Sequence, residues 1–194
     1  EFVIVDGTLT IAPRPVKLTS ASDKKVYDGT PLKNSTVTDV KDETYLGFVE
    51  GQGATYDVTG TQTLVGSSDN TFTYTLNKGT NADNYDIKTE NGTLTVTAAT
   101  DKVTVTITEH SGTATYDGTE HKVTGYDVTD ISNKLYTAND FTFSGTAEVK
   151  GTNAGTYNME LKPENFTNTS KNFENVEFVI VDGTLTIAPR PVKL

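Results

Sequence analysis

Residues 177–194 read EFVIVDGTLTIAPRPVKL, and residues 1–18 carry the same eighteen letters, so the chain repeats with a period of 176 residues. In VEFVIV-DG-TLTIAP (176–189), two β-rich runs flank Asp-Gly, and YDIKTE-NG-TLTVTA (85–98) has the same form. Asn-Gly and Asp-Gly tolerate the positive φ of a tight type I′ turn, so both segments are predicted to be β-hairpins. The Ala-Pro-Arg-Pro that follows predicts a stiff, extended linker, because proline fixes φ.

A weaker similarity lies inside this long period. VYDGT (26–30) matches TYDGT (115–119), and NADNYDIKTENGTLTVTAA (81–99) aligns without gaps on NFENVEFVIVDGTLTIAPR (172–190). Blocks that recur in the same order with small changes of offset are typical of homologous domains in an array.

The aligned blocks predict two domains. We place a β repeat domain at residues 14–99 and its relative at residues 100–190. Residues 1–13 are then expected to be the C-terminal hairpin of a preceding repeat, and residues 191–194 the start of the next one.

Threonine supports an all-β fold. It supplies 37 of the 194 residues and alternates with apolar side chains in segments such as KVTVTITEH (102–110). This period of two is typical of half-buried strands, and no segment shows a convincing helical period. The sequence therefore predicts two small, mostly antiparallel β-domains in tandem, sandwich-like or β-grasp-like, that form an elongated rod.

Composition argues against several functions. The net charge of −10 disfavours nucleic-acid binding, which needs a basic surface. No apolar run approaches the roughly 20 residues of a membrane span, and the absence of cysteine excludes disulfides and thiolate sites. There is no phosphate-binding loop or nucleophile elbow, so the sequence predicts neither an enzyme nor a cofactor.

Two histidines are the candidate metal ligands. His110 and His121 each follow Thr-Glu, and if the flanking segments paired as strands, both could share a site of nitrogen and carboxylate ligands. The alternative is a solvated, partly charged edge. For Asp28 and Asp117 in the repeated YDGT, we expect a turn rather than a catalytic acid.

Four tyrosines are the candidate ligand-binding residues. If exposed, Tyr45, Tyr56, Tyr126 and Tyr136 could stack on a ligand, although tyrosine in such a domain more often packs in the core. Acidic clusters could bind calcium, but none has the spacing of an EF-hand loop. A Lys–Asn isopeptide bond also remains open, since spacing singles out no pair.

Three motifs carry a resemblance to a known family. With YDGT at 27–30 and 116–119, KVTGYDV at 122–128 and GTLTV or GTLTI closing each domain, the chain resembles the YDG/MBG-type repeats of bacterial surface proteins. Such repeats occur in tandem in large, cell-wall-anchored, adhesin-like proteins, especially of Gram-positive bacteria. The resemblance implies an extracellular stalk or adhesin module and supplies no catalytic residue.

The leading hypothesis is a structural spacer that contacts adjacent repeats and projects a distal binding region from the cell wall. The alternative is an adhesive module that binds host mucin-type glycans or a matrix protein. Residues 1–11 lack a domain of their own, and a lone hairpin is marginal in water. We expect them to pair with the sheet edge of a neighbouring molecule or to replace residues 177–187 in another copy.

Overall fold

The computed structural model describes residues 2–3 and 5–193, and the chain divides into two compact units, Glu1–Thr97 and Ala98–Leu194. The strands of unit 1 are β1 (Arg14–Ser20), β2 (Asp23–Val26), β3 (Val37–Val40), β4 (Ala54–Val58), β5 (Gly66–Asn70), β6 (Phe72–Leu76), β7 (Tyr85–Glu90) and β8 (Gly92–Thr97).

The strands of unit 2 are β9 (Val103–Glu109), β10 (Gly112–Thr115), β11 (His121–Thr124), β12 (Tyr126–Ile131), β13 (Phe141–Phe143), β14 (Glu148–Gly151), β15 (Gly155–Asn158), β16 (Phe166–Asn168), β17 (Val176–Val181) and β18 (Thr184–Ala188). Single 3₁₀ turns lie at Ala82–Asn84, Ala138–Asp140 and Pro163–Asn165. The predicted all-β fold is confirmed, and most strand pairs are antiparallel. Among the described residues, no helix is long and apolar enough to cross a membrane.

In unit 1, the first two strands run parallel to the last two. The sheets are ordered β3-β1-β7 and β2-β8-β5, and β4 pairs with β6. Arg14 lies opposite Tyr85 where β1 meets β7, and Val26 lies opposite Thr97 where β2 meets β8. The residue offset is the same in both ladders, so residues 14–26 and 85–97 form one long parallel pair that passes from one sheet to the other.

Unit 2 repeats this arrangement. Its main sheets are ordered β12-β9-β17 and β10-β18-β15, and the shorter pairs are β11-β14 and β13-β16. Val103 lies opposite Val176 at one end of the parallel pair, and Thr115 lies opposite Ala188 at the other.

Both predicted hairpins are therefore wrong. The strands that flank Asn91-Gly92 and Asp182-Gly183 do not pair with each other but continue into different sheets. Neither glycine has the positive φ that the hairpin turn requires. Each glycine instead allows two segments of the backbone to approach closely. A Cβ on Gly92, for example, would lie 2.4 Å from the carbonyl oxygen of Ser20.

The core of unit 1 consists of two clusters, one on each main sheet. Val16, Leu18, Phe48 and Tyr85 form the first, with partly buried side chains of the β4-β6 pair packed against it. The second is smaller and contains Leu32, Leu94 and Val96. Alternation along β1 and β8 places Val16 and Leu18, and Leu94 and Val96, on the core-facing side of each strand.

Aromatic rings dominate the core of unit 2. Neighbouring rings lie with centroids 5.1–6.4 Å apart, mostly in edge-to-face or tilted arrangements that suit the quadrupoles of the rings. The cluster comprises Tyr126, Tyr136, Phe141, Phe143, Phe166, Phe173 and Phe178.

The N-terminal copy of the repeated sequence is not in a strand. The described residues before Arg14, namely 2–3 and 5–13, have no regular structure and are exposed. The same sequence at 177–188 forms most of β17 and all of β18. The same sequence therefore has two conformations in the described parts of the chain. Glu1 and Ile4, which belong to the predicted swap segment, lie outside the described residues.

Candidate functional site

The point where each parallel pair changes sheets is fixed by buried polar groups. In unit 1, Ser20 Oγ donates to the carbonyl oxygen of Asn70 at 2.5 Å and accepts from the Gly92 N–H at 2.9 Å. The buried Asn70 amide donates to the carbonyls of Ala21 and Asn34, at 2.9 and 2.8 Å. These bonds hold the chain at the bend between β1 and β2.

In unit 2, the corresponding crossover point is held by a buried carboxylate. Glu109 is only 3% exposed, and its Oε1 and Oε2 accept from the backbone N–H groups of Leu161 and Gly183 at 2.6 and 2.7 Å. Glu160, the residue before Leu161, has a φ of 63°, a left-handed conformation that is unusual for a residue with a side chain. Both oxygens of Glu109 are thus engaged by the backbone, which makes it a positioning residue of the crossover.

The position of Glu109 in the alternating pattern of β9 indicates that its side chain is buried, although a glutamate is usually exposed. Val103, Val105, Ile107 and Glu109 share one side of β9, and all four are buried. An acid at the core-facing position of a strand has to find hydrogen-bond donors inside the protein. Ser20 occupies the equivalent place at the end of β1.

The YDGT motifs form turns, as predicted. Asp28 Oδ1 accepts from the N–H and hydroxyl of Thr30, and Gly29 has a φ of 78°. A hydrogen bond from Lys25, followed by those from Thr30, holds the pKa of Asp28 well below its usual range. These bonds satisfy local donors of the turn, so the repeated aspartate is structural.

The second YDGT turn has the same geometry. Asp117 Oδ1 accepts from the N–H and hydroxyl of Thr119 at 2.9 and 2.7 Å, and Gly118 has a φ of 83°. These two bonds, with a smaller contribution from His121, lower the pKa of Asp117 to about 2.

The two histidines bind separate partners. His110 Nδ1 lies 2.8 Å from the Thr124 carbonyl and its Nε2 lies 3.3 Å from Asp127, while His121 Nε2 lies 3.1 Å from Asp117. The hydrogen bond to Thr124, and then that to Asp127, raise the pKa of His110.

The strand pairing on which the metal-site hypothesis depended is not the one observed. β10 pairs with β18 and β11 pairs with β14, rather than β10 with β11. Within residues 2–3 and 5–193, no group of three or more His, Asp or Glu side chains is arranged to hold a metal ion.

Two of the candidate tyrosines belong to the aromatic core of unit 2. Tyr136 is buried, and its hydroxyl donates to the Asp140 carbonyl and to Asn168 Oδ1 at 3.1 and 3.0 Å. Burial raises the pKa of Tyr136 to about 12. Tyr126 is partly buried and packs on Phe143 and Phe166. Tyr136 is therefore not an exposed stacking platform but a core residue, the more common role of such a tyrosine, and two phenylalanine rings pack against Tyr126.

The other two candidates lie in unit 1 and are partly buried. Lys17 Nζ lies 5.7 Å from the centre of the Tyr45 ring, and Tyr56 packs edge-on against Phe72. Tyr74 and Tyr116 are the tyrosines that the structure exposes to a greater extent, and the sequence did not single them out.

Tyr56 also lines a polar cleft of unit 1. This cleft has a volume of about 590 Å³, and its polar lining includes Asp39, Gln52 and Asn77. Asp39 Oδ2 accepts from the Phe48 N–H at 2.9 Å, whereas its buried Oδ1 has no partner among the described residues. A polar cleft with an aromatic wall can hold a small hydroxylated ligand.

The family comparison matches unit 2. Residues 103–189, which run from the start of β9 to just past the end of β18, match the model of the MBG domain family. This match confirms the resemblance that the YDGT and GTLTI motifs predicted for an MBG/YDG-type repeat domain. No curated protein and no solved structure shows significant similarity to the chain.

Proposed function

We propose that the chain is a non-enzymatic stalk segment of a bacterial surface protein, extracellular and anchored to a Gram-positive cell wall, that projects a distal binding region outward. The MBG match in unit 2 is compatible with an adhesin-like surface repeat. The observation that carries the proposal is the parallel pairing of the first two strands of each unit with its last two.

Parallel terminal strands resist tension along the chain. The chain enters the pair of unit 1 at Arg14 and leaves it at Thr97, so the two points of traction lie at opposite ends of one ladder. Force then loads the hydrogen bonds together in shear, whereas an antiparallel hairpin would open one bond at a time. Residues 14–26 give the ladder a length of roughly 40 Å at about 3.3 Å per residue.

The repeated linker also favours a stiff connection. Residues 188–194 have the sequence of residues 12–18, in which β1 begins at Arg14. The Arg14 guanidinium donates to the carbonyls of Gly47 and Leu46 at 2.6 and 2.7 Å. If another unit 1 followed, Pro189 alone would separate β18 from the strand equivalent to β1.

Single-molecule unfolding tests the stalk proposal. The chain has no cysteine, so introduced thiols are unique attachment points. Handles on Pro13→Cys and Ala98→Cys pull unit 1 in shear, while handles on Val26→Cys and Ala98→Cys pull the same ladder from one end. We expect a several-fold higher unfolding force for the first pair. Equal forces would remove the mechanical basis of the proposal.

A second candidate function is adhesion through the cleft of unit 1. Asp39, Gln52 and Asn77 offer hydrogen-bond groups beside the Tyr56 ring, a combination that suits a sugar. The partner would be a host mucin-type glycan. Binding to an array of mucin-type glycans that Asn77→Ala abolishes and the exposed control Asn139→Ala preserves would support it. A chain that binds no glycan, or binds equally in both variants, would exclude this cleft.

A further inference from the structure

Asn91-Gly92, between β7 and β8, is the single Asn-Gly pair in the sequence. In this dipeptide the glycine amide nitrogen can attack the side-chain carbonyl carbon of the asparagine, because glycine has no side chain to obstruct the approach. A bond forms between Gly92 N and Asn91 Cγ, the Cγ–Nδ2 bond breaks, and ammonia leaves with the amide proton. Water then opens the resulting cyclic imide to aspartate or to isoaspartate, in which the main chain runs through Cβ and Cγ.

The fold of unit 1 holds the attacking nitrogen in place. Asn91 is exposed, but Gly92 is buried, and its N–H donates at 2.9 Å to the Oγ of Ser20, which is also buried. The backbone of Ala21 lies so close that a Cβ on Gly92 would overlap its carbonyl group. The nitrogen can attack only after it loses its proton and turns towards Asn91 Cγ. Both steps require the crossover to open, because a buried, hydrogen-bonded amide exposes its proton only through local unfolding.

We propose that Asn91 is a site of spontaneous deamidation that is blocked in folded unit 1 and reacts when β8 leaves the crossover. The reaction needs water as its co-reactant and no enzyme, and it does not depend on the stalk function. Deamidation of Asn91 is therefore a covalent record of copies in which unit 1 has opened.

The two products have different consequences for the fold. Asp182-Gly183 lies at the aligned place in unit 2, where the Gly183 N–H donates to Glu109 at 2.7 Å. An aspartate before the crossover glycine is therefore compatible with the fold. Isoaspartate instead adds a carbon atom to the main chain between β7 and β8, where Gly92 is in close contact with residues 20–21. A chain that carries isoaspartate cannot keep both strands in their native register, so this product prevents the refolding of unit 1.

The rate of deamidation in the folded and in the denatured chain tests the block. The full chain is incubated in a mildly alkaline buffer, with and without guanidinium chloride, at one temperature and pH. Trypsin then releases residues 89–102, in which Asn91 is the only asparagine, so mass spectrometry of this peptide reports on a single site. We expect deamidation to be at least about tenfold slower in the folded chain, since it needs local opening. Equal rates would overturn the proposal.

Two serine variants test the bond that holds the nitrogen. Ser20→Ala removes the acceptor of the Gly92 N–H, whereas Ser22→Ala removes the acceptor of the Thr93 N–H, which is also bonded at 2.9 Å. Circular dichroism identifies a temperature at which both variants are folded. We expect Asn91 to react several-fold faster in the first variant and at the unsubstituted rate in the second. Equal acceleration in both would overturn the assigned role of the Ser20 bond.

Refolding distinguishes the two products. After incubation in guanidinium chloride, the chain is diluted into buffer and hydrogen exchange of β7 and β8 is followed by mass spectrometry. We expect chains with Asn91 or with aspartate at this position to regain protection, as does the variant Asn91→Asp, and isoaspartyl chains to remain unprotected. Isoaspartyl chains that regain equal protection would overturn the predicted effect on refolding.

Discussion

The carboxylate of Glu109 accepts a hydrogen bond of 2.7 Å from the backbone N–H of Gly183, which lies 74 residues further along the chain. This bond joins the end of β9 to the link between β17 and β18, at the point where both segments pass from one sheet to the other. Ser20 and Gly92 make the corresponding contact in unit 1 with a hydroxyl in place of the carboxylate. The two units thus preserve the crossover while using different side chains to hold it.

Replacing Glu109 with alanine is expected to destabilise unit 2 by about 3 kcal/mol. The substitution leaves the N–H groups of Leu161 and Gly183 buried without a partner, and each such group costs about 1–3 kcal/mol. Urea unfolding, followed by hydrogen exchange in β17 and β18, measures the change. Glu164→Ala removes a glutamate side chain that is exposed and is expected to change stability by less than about 0.5 kcal/mol. Equal effects of the two variants would contradict the assigned role of Glu109.

Identical local sequence gives a sharp test of the crossover glycine. Gly183→Ala places a Cβ 2.3 Å from the His110 carbonyl oxygen, while Gly7→Ala meets no atom within 4 Å. We expect the first change to lower the stability of unit 2 by about 3 kcal/mol, since overpacking near the backbone is costly. The second is expected to leave the thermal unfolding curve unchanged. A similar cost at both positions would show that backbone conformation, rather than close approach, selects glycine here.

The strands were predictable because their residues alternate, but their partners were not. Alternation along 103–109 reports which side chains face the core and carries no information about the neighbouring strand. Asp182-Gly183 has the composition of a hairpin turn. The glycine is needed, however, because the backbone at Gly183 lies close to the carbonyl of His110. His110 directly follows β9, which lies some 70 residues before Gly183 in the sequence. The residues of a turn give no information about a close approach to a segment that is distant in sequence.

The candidate site was less predictable than the strands. Tyr136 and Tyr56 were singled out as aromatic residues, but the burial of their rings also depends on Phe173 and Phe72, which lie 37 and 16 residues further along the chain. Glu109 entered the sequence analysis only as the glutamate before His110, a possible carboxylate ligand, and its role at the crossover was not predicted. Its position in the alternating pattern of β9, after Val105 and Ile107, distinguishes it from the exposed acids.

The raised pKa of His110 predicts a pH dependence of unit 2. The fold favours the protonated ring, because Thr124 and Asp127 accept its hydrogen bonds. The contribution to stability is therefore fully present below the unfolded-state pKa of about 6.5 and is lost as pH rises through the higher folded-state pKa. NMR titration is expected to give a pKa for His110 above 6.5 that Asp127→Asn lowers and Asp130→Asn does not. A value at or below 6.5 in the unsubstituted chain would contradict the observed bonding.

The lowered pKa of Asp117 acts in the opposite direction and at lower pH. Hydrogen bonds from Thr119 favour the carboxylate, so their contribution is present above the unfolded-state pKa of about 3.9 and is lost as pH falls through about 2. NMR titration of the Asp117 carboxyl carbon measures the shift directly. Thr119→Val is expected to return the pKa towards 3.9, whereas Thr146→Val is expected to leave it unchanged. A pKa near 3.9 before any substitution would mean that the turn is open in solution.

Two substitutions of Tyr136 distinguish the contribution of its ring to stability from that of its hydroxyl. Tyr136→Phe retains the contacts with Phe141 and Phe173 but leaves Asn168 Oδ1 without this donor, so we expect a loss of about 1–2 kcal/mol. Tyr136→Ala also opens a cavity in the aromatic core and is expected to cost about 3–5 kcal/mol. Since 1 kcal/mol shifts the Tm of a domain this size by about 4–8 °C, calorimetry resolves the two. The exposed control Tyr116→Ala is expected to shift the Tm far less than either, and an equal shift would place Tyr136 outside the core.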